Sequence, residues 1–224
     1  VKKEEKKGED GKEAKEEKGA EEGGSSALSG LQLVQSLIAL HARFAHIVDS
    51  CFQKALVFQK ALKAAFTDFI NADTRVCQLL AQFVHDLLQK GNKFKVEDLD
   101  DTLDQVVFIY SYIREKDIFE HEYQKYLSTR LLEGSSRSEH TEKALIGKLK
   151  VEAGYAWVNK LEGMFKDVQS SNELNTVFKN AFPSPSLELR ITVCSKANWP
   201  PTPQLHGKVP RELTASCDAF RKFY

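Results

Sequence analysis

A mainly α-helical body running into one strand of an incomplete sheet is what this sequence predicts, on three observations. From Leu31 to Phe178 large apolar residues recur at steps of three and four. Two Ser-x-x-Glu patterns stand ahead of apolar runs, at Ser136–Glu139 and Ser170–Glu173. Beyond Pro183 and Pro185 the period changes to two, with Leu187, Leu189, Ile191 and Val193 alternating with Glu188, Arg190, Thr192 and Cys194.

Residues 1–27 come first and are Lys, Glu, Gly, Ala and Ser almost throughout. Such a stretch buries too little apolar surface to offset chain entropy, so it is expected to be a disordered, solvated linker. It has no apolar core of the kind a secretory signal needs. Helical spacing begins at Leu28, with Leu31, Val34, Ile38, His41, Ala45 and Val48 on one face. His41 is expected to be a satisfied, partly buried side chain rather than a ligand.

Phe58, Leu62, Phe66 and Phe69 mark a second helix, interrupted at Asn71-Ala72-Asp73. Asp73 is the candidate N-cap of a third helix, with Val76, Leu79, Leu80, Phe83, Val84, Leu87 and Leu88 on its inner side. That helix is expected to end at Lys90-Gly91-Asn92, with Gly91 as its C-terminal cap. A fourth runs from Val96 to about Tyr112, and the stretch from Ile113 to Leu131 continues or follows it. There Ile118, Phe119, Tyr123, Tyr126, Leu127 and Leu131 share one side and the charges fall between them. This is the pattern of a packed amphipathic helix, not of carboxylates converging in a cleft. Leu161, Met164, Phe165 and Val168 keep the helical step between the two Ser-x-x-Glu patterns. After the strand, Asn198-Trp199-Pro200-Pro201 reads as a turn, and Leu213, Cys217 and Phe220 as one side of a short terminal helix. The organisation expected is therefore a linker at 1–27, a helical bundle at 28–182 and a partial α/β segment at 183–224.

Several function classes lose support. Formal net charge is zero, which argues against a general grip on nucleic acid or a polybasic membrane anchor. No apolar run approaches the roughly 20 residues that cross a bilayer. The four cysteines, Cys51, Cys77, Cys194 and Cys217, are far apart. They read as free thiols of a reducing compartment, without metal-site spacing. Phosphate-loop, dinucleotide, nucleophile-elbow and zinc-protease motifs are absent. No catalytic residue, metal or cofactor is expected. A lone strand leaves backbone donors and acceptors unpaired along its edges, so further strands or a partner's strand must supply them. A helical body with an orphan strand points to a scaffold or binding module.

Five stretches also carry a resemblance. They are FQKALKAAFTDFIN, LLAQFVHDLLQKG, LDDTLDQVVFIYSYIREKDIFEHEYQKYLSTRLL, SEHTEKALIGKLKVEAGYAWVNKLEGMFKDV and the NWPPTP that closes the strand. The most specific pieces are Lys116-Asp117-Ile118-Phe119, Arg130-Leu131-Leu132, Lys148-Leu149-Lys150, Lys160 to Asp167, and Trp199-Pro200. In this order they resemble the first half of the C-terminal region of a cullin, from about Leu31 to Tyr224. His140 stands where that family usually has an acidic residue, and Ala153 where a Cys is common.

The resemblance implies a non-catalytic scaffold of a multisubunit ubiquitin ligase, in cytoplasm and nucleus. Such a scaffold holds a RING-box protein, which recruits the ubiquitin-conjugating enzyme, so that a substrate lysine meets the thioester at high effective concentration. It implies that the RING-box strand adds beside Leu187, Leu189, Ile191 and Val193. It also implies that the acidic tail of the conjugating enzyme meets Lys90, Lys93 and Lys95; a solvated helix terminus is the plainer reading of these lysines. The substrate-receptor arm, the winged-helix domains and the modified lysine are expected outside this sequence. Exposed apolar surface and self-association are expected near 187–224. The alternative is a freestanding helical interaction module of cullin ancestry without a RING partner.

Overall fold

The computed structural model describes residues 30–92, 99–182, 189–201, 207 and 210–224, apart from the side chains of Leu31 and Glu212. The expectations for 1–27, Lys93, Lys95 and Leu187 lie outside these residues. Eight helices are described: α1 (Gly30–Cys51), α2 (Leu56–Ile70), α3 (Arg75–Leu88), α4 (Leu99–Tyr112), α5 (Lys116–Glu133), α6 (Glu139–Ala153), α7 (Tyr155–Ala181) and α8 (Arg211–Phe223).

The core uses the helical spacing of the sequence on α3 and α5, whereas on α2 Phe58 and Phe69 are exposed and Phe66 and Ile70 are the buried pair. On α3 the buried set is Cys77, Leu80, Ala81, Phe83, Val84, Leu87 and Leu88, one continuous side. It packs on α5, whose inner side is Phe119, Tyr123 and Leu127. α1 and α4 flank this pair with Val34, Leu37, Leu103, Val106 and Ile109, and α6 and α7 close it with Leu145, Leu149, Val158, Leu161 and Met164. His41 is half-buried as expected. Its Nε2 lies 3.2 Å from the Tyr112 hydroxyl, and its ring meets Phe66 and Phe108 edge-on.

Helix ends follow local chemistry, with three departures from the sequence reading. Asp73 does cap α3, its carboxylate accepting the Arg75 N–H at 2.9 Å. α3 stops at Leu88, before Lys90-Gly91, because Gln89 is extended and pairs with Ser136 in an isolated antiparallel bridge. Gly91 still adopts φ of +84°, but in the following turn. Ser136 does not cap α6: its hydroxyl donates to Glu142 at 2.8 Å, and Ser138 precedes the first helical residue. Ser170–Glu173 starts nothing, since it lies inside the unbroken α7. Polar residues are tolerated there because they bond within the helix and across it; Ser171 Oγ, for instance, donates to Asp167 O at 2.6 Å.

One ion pair is wholly inside. Arg130 on α5 and Glu142 on α6 are both 0% exposed. Arg130 Nε and Nη2 donate to the two carboxylate oxygens at 2.6 and 2.9 Å. Ser136 Oγ and Tyr123 OH donate to the same carboxylate. Arg130 Nη1 lies 3.2 Å from Nδ1 of His85, whose ring stacks on Tyr126. A guanidinium can only donate, so Nδ1 must accept and the ring is neutral, with its proton on Nε2. The pair fastens α5 to α6 and, through His85, to α3.

Beyond α7 the chain turns back. α8 lies against the end of α7, Phe220 and Phe223 meeting Phe178 with ring centroids 5.2 and 5.4 Å apart. This covers part of the apolar surface expected to be open at 187–224; Phe182 and Tyr224 stay exposed.

Candidate functional site

The described residues 189–195 of the expected strand form neither helix nor strand and join no ladder among the described residues; their bonds to α7 fall on every second residue, the spacing of extended chain. The backbone there is paired instead with side chains of α7. Asp167, Ser171 and Asn175 stand four residues apart, on one line down that helix. Asn175 meets Ile191 twice: Nδ2 donates to Ile191 O at 2.7 Å and Oδ1 accepts Ile191 N–H at 3.0 Å. A neighbouring strand would make the same two bonds. Ser171 Oγ accepts Val193 N–H at 2.9 Å. Asp167 Oδ2 accepts Ser195 N–H at 2.9 Å and Ser195 Oγ–H at 2.8 Å.

The two periods explain the fit. Four residues of helix rise about 6.0 Å and two of strand about 6.6 Å. Every second amide of the segment therefore finds the next polar side chain of α7, and the accumulated mismatch of roughly an ångström is within the reach of side-chain rotation. Both backbone groups of Ile191 and the N–H of Val193 are thus bonded to side chains of a helix.

The lower end of this line is the firmest. Asp167 Oδ2 also accepts Trp199 Nε1–H at 2.8 Å, and Trp199 is buried in the core. Burial pushes the Asp167 carboxyl up, but hydrogen bonds from Ser195, Trp199 and Asn198 outweigh it and hold the group below its ordinary value. Gln124 on α5 donates to Asn198 O at 2.6 Å. On α7, Gly163 leaves room for this turn: a Cβ there would lie 2.2 Å from the Asn198 amide nitrogen. Trp199 and the expected turn thus lock the extended segment to two helices.

The opposite edge is different. In extended chain, successive N–H and C=O groups point to opposite sides. With 191, 193 and 195 turned to α7, the groups of Arg190, Thr192 and Cys194 face away. No backbone–backbone bond reaches them among the described residues; Cys194 Sγ donates to Thr192 O at 3.8 Å. Leu189, Ile191, Thr192 and Val193 are half-buried and Arg190 and Cys194 exposed. Among the described residues, the amides of Ile191, Val193 and Ser195 are bonded to α7 and the outward edge has no backbone partner.

Of the three candidate lysines only Lys90 is described. Its Nζ donates to Gly134 O at 2.5 Å and its N–H to Ser135 O at 2.8 Å. Gly134 is the left-handed cap of α5, φ +64°, so the ammonium satisfies the carbonyl end of a neighbouring helix. The residues that the sequence reading missed are Asp167, Ser171 and Asn175. Their signal is a four-residue repeat of short polar groups on an otherwise amphipathic helix, part of which also fits the Ser170–Glu173 start pattern.

The model of one protein family, the cullin alpha solenoid domain, matches residues 4–175. The chain belongs to the cullin family. It is 36% identical over 197 residues to Cullin-3B of Arabidopsis thaliana, covering 87% of this chain and 27% of that protein. Human Cullin-4A is 34% identical over 198 residues (86% of this chain, 26% of that protein). Cullin-1 of Oryza sativa is 32% identical over 201 residues (85% and 27%). The cullin chain described here thus spans about a quarter of the length of these relatives.

Proposed function

We propose that this cullin chain is part of a non-catalytic scaffold of a cullin-RING ubiquitin ligase, and that the extended segment at 189–195 seats one strand of a RING-box protein. The open edge carries this reading. A segment already fixed on one side by α7 pays little further ordering entropy when a strand adds on the other. The incoming strand bonds the backbone of Arg190, Thr192 and Cys194, while Leu189, Ile191 and Val193 contribute through their side chains. The RING-box protein in turn positions the ubiquitin-conjugating enzyme for substrate ubiquitination and degradation, and the chain acts in cytoplasm and nucleus. Lys90, Lys93 and Lys95 are the proposed contact for that enzyme's acidic tail. With one ammonium hydrogen of Lys90 given to Gly134 O, two remain for such a tail.

Co-expression with a RING-box protein and size-exclusion chromatography tests the seat. Thr192→Pro removes an outward N–H and leaves the α7 bonds of the segment in place. Co-elution with the parent chain and its loss in Thr192→Pro, at unchanged helical circular dichroism, is the expected result. Equal co-elution of parent and variant would overturn the seat.

A further inference from the structure

We propose that the groove between α6 and α7 docks a short acidic linear segment of a partner protein, anchored by one large apolar side chain over Gly147. The groove encloses about 310 Å³, the lower end of the range for ligand sites. It lies away from the 189–195 segment and is independent of the RING-box reading.

Lys143, Gly147 and Lys150 stand on one face of α6 at steps of four and three, and Phe165 and Lys166 face them from α7. Ile146 and Phe165 are 3% and 6% exposed and form an apolar floor. Three ammonium groups stand around that floor, with Lys143 Nζ 5.6 Å over the Phe165 ring, against the two carboxylates of Glu162 and Glu139. Lys166 is exposed and has no ion pair among the described residues. Lys143 pairs with Glu139 at 2.6 Å and Lys150 with Glu162 at 3.7 Å. Both are solvated pairs of the kind that contribute little and exchange partners readily.

Gly147 is the second observation. It sits in the middle of α6 in ordinary helical backbone, since its φ is not among the positive values. A Cβ built on it would have nothing within 4 Å. Neither conformation nor packing calls for glycine there, although glycine inside a helix is less stable than alanine. What the missing side chain does is keep the floor of the groove open between lysines. A floor that takes an apolar group, ringed by positive charge, complements an acidic peptide with one aliphatic or aromatic anchor.

Fluorescence anisotropy of the full chain with three labelled short peptides tests this. One is built of Glu and Asp around a central Phe, the second has Ser in place of the Phe, and the third reverses the charges with Lys and Arg. The acidic Phe peptide is expected to bind at least ~10-fold more tightly than the other two. Lys166→Glu is expected to weaken it about 5-fold, and Gly147→Leu to abolish it at an equal or higher thermal midpoint. No binding, equal binding of the three peptides, or full binding by a folded Gly147→Leu chain would overturn the proposal.

Discussion

Removing the Glu142 carboxylate strands a buried charge inside this bundle. Glu142 and Arg130 are both 0% exposed and joined by two bonds of 2.6 and 2.9 Å. Burial alone would pull the guanidinium's pKa down, yet Glu142 holds it above its ordinary value, so Arg130 stays charged. In Glu142→Ala that charge is left inside with His85 Nδ1 and the Tyr123 ring beside it and no carboxylate, and the hydroxyls of Ser136 and Tyr123 lose an acceptor. Breaking a buried pair in this way costs about 3–5 kcal/mol. The total stability of a domain is roughly 5–15 kcal/mol, so the loss is large enough to read directly. Urea unfolding followed by circular dichroism at neutral pH measures it as a fall in midpoint at constant slope. The double variant Arg130→Met/Glu142→Leu, which removes both charges and keeps the volume, should recover to within about 1 kcal/mol of the parent. A loss below about 1 kcal/mol in Glu142→Ala would refute the reasoning and mean that water reaches the guanidinium.

Asn175→Ala removes both bonds to Ile191, worth together about 2 kcal/mol. Amide exchange at Ile191 should accelerate about 30-fold, since 1.4 kcal/mol is a factor of ten, with the melting of α3 and α5 unaffected. His85 gives the fold an acid-sensitive point. Burial, and then the charge of Arg130, lower its pKa below the ordinary 6.5. A folded pKa below the unfolded one means the unfolded chain takes up the proton more readily. The contribution is therefore complete above pH 6.5 and lost as pH falls from there through the folded value. Urea midpoints measured on either side of pH 6.5 should decline on the acid side, and His85→Gln should flatten that decline.

Apolar periodicity fixed most of the bundle in advance because helices α3 and α5 bury what their sequence spacing puts on one face. Terminal boundaries were less legible. The end of α3 depends on Gln89 pairing with Ser136, a residue distant in the chain. Ser136–Glu139 stands at the true start of α6 but with Ser136 bonded to Glu142 rather than capping, and Ser170–Glu173 is a false start because Ser171 serves Val193. The alternation at 187–194 reads as a strand of a sheet, whereas the described residues 189–195 join no ladder and bond to α7 instead. Period two says that alternate groups are bound, and a helix with polar residues every fourth position satisfies that as well as a strand does. The Arg130–Glu142 pair left no sequence signal, since charged residues on an amphipathic helix ordinarily face solvent.

Residue-resolved hydrogen exchange across 189–195, with and without a RING-box protein, tests the open edge most directly. In the free chain the amides of Ile191, Val193 and Ser195 should be protected and those of Thr192 and Cys194 should exchange fast. Adding the RING-box protein should protect Thr192 and Cys194. Uniform protection in the free chain, or a complex that leaves Thr192 and Cys194 unprotected, would contradict the seat described here.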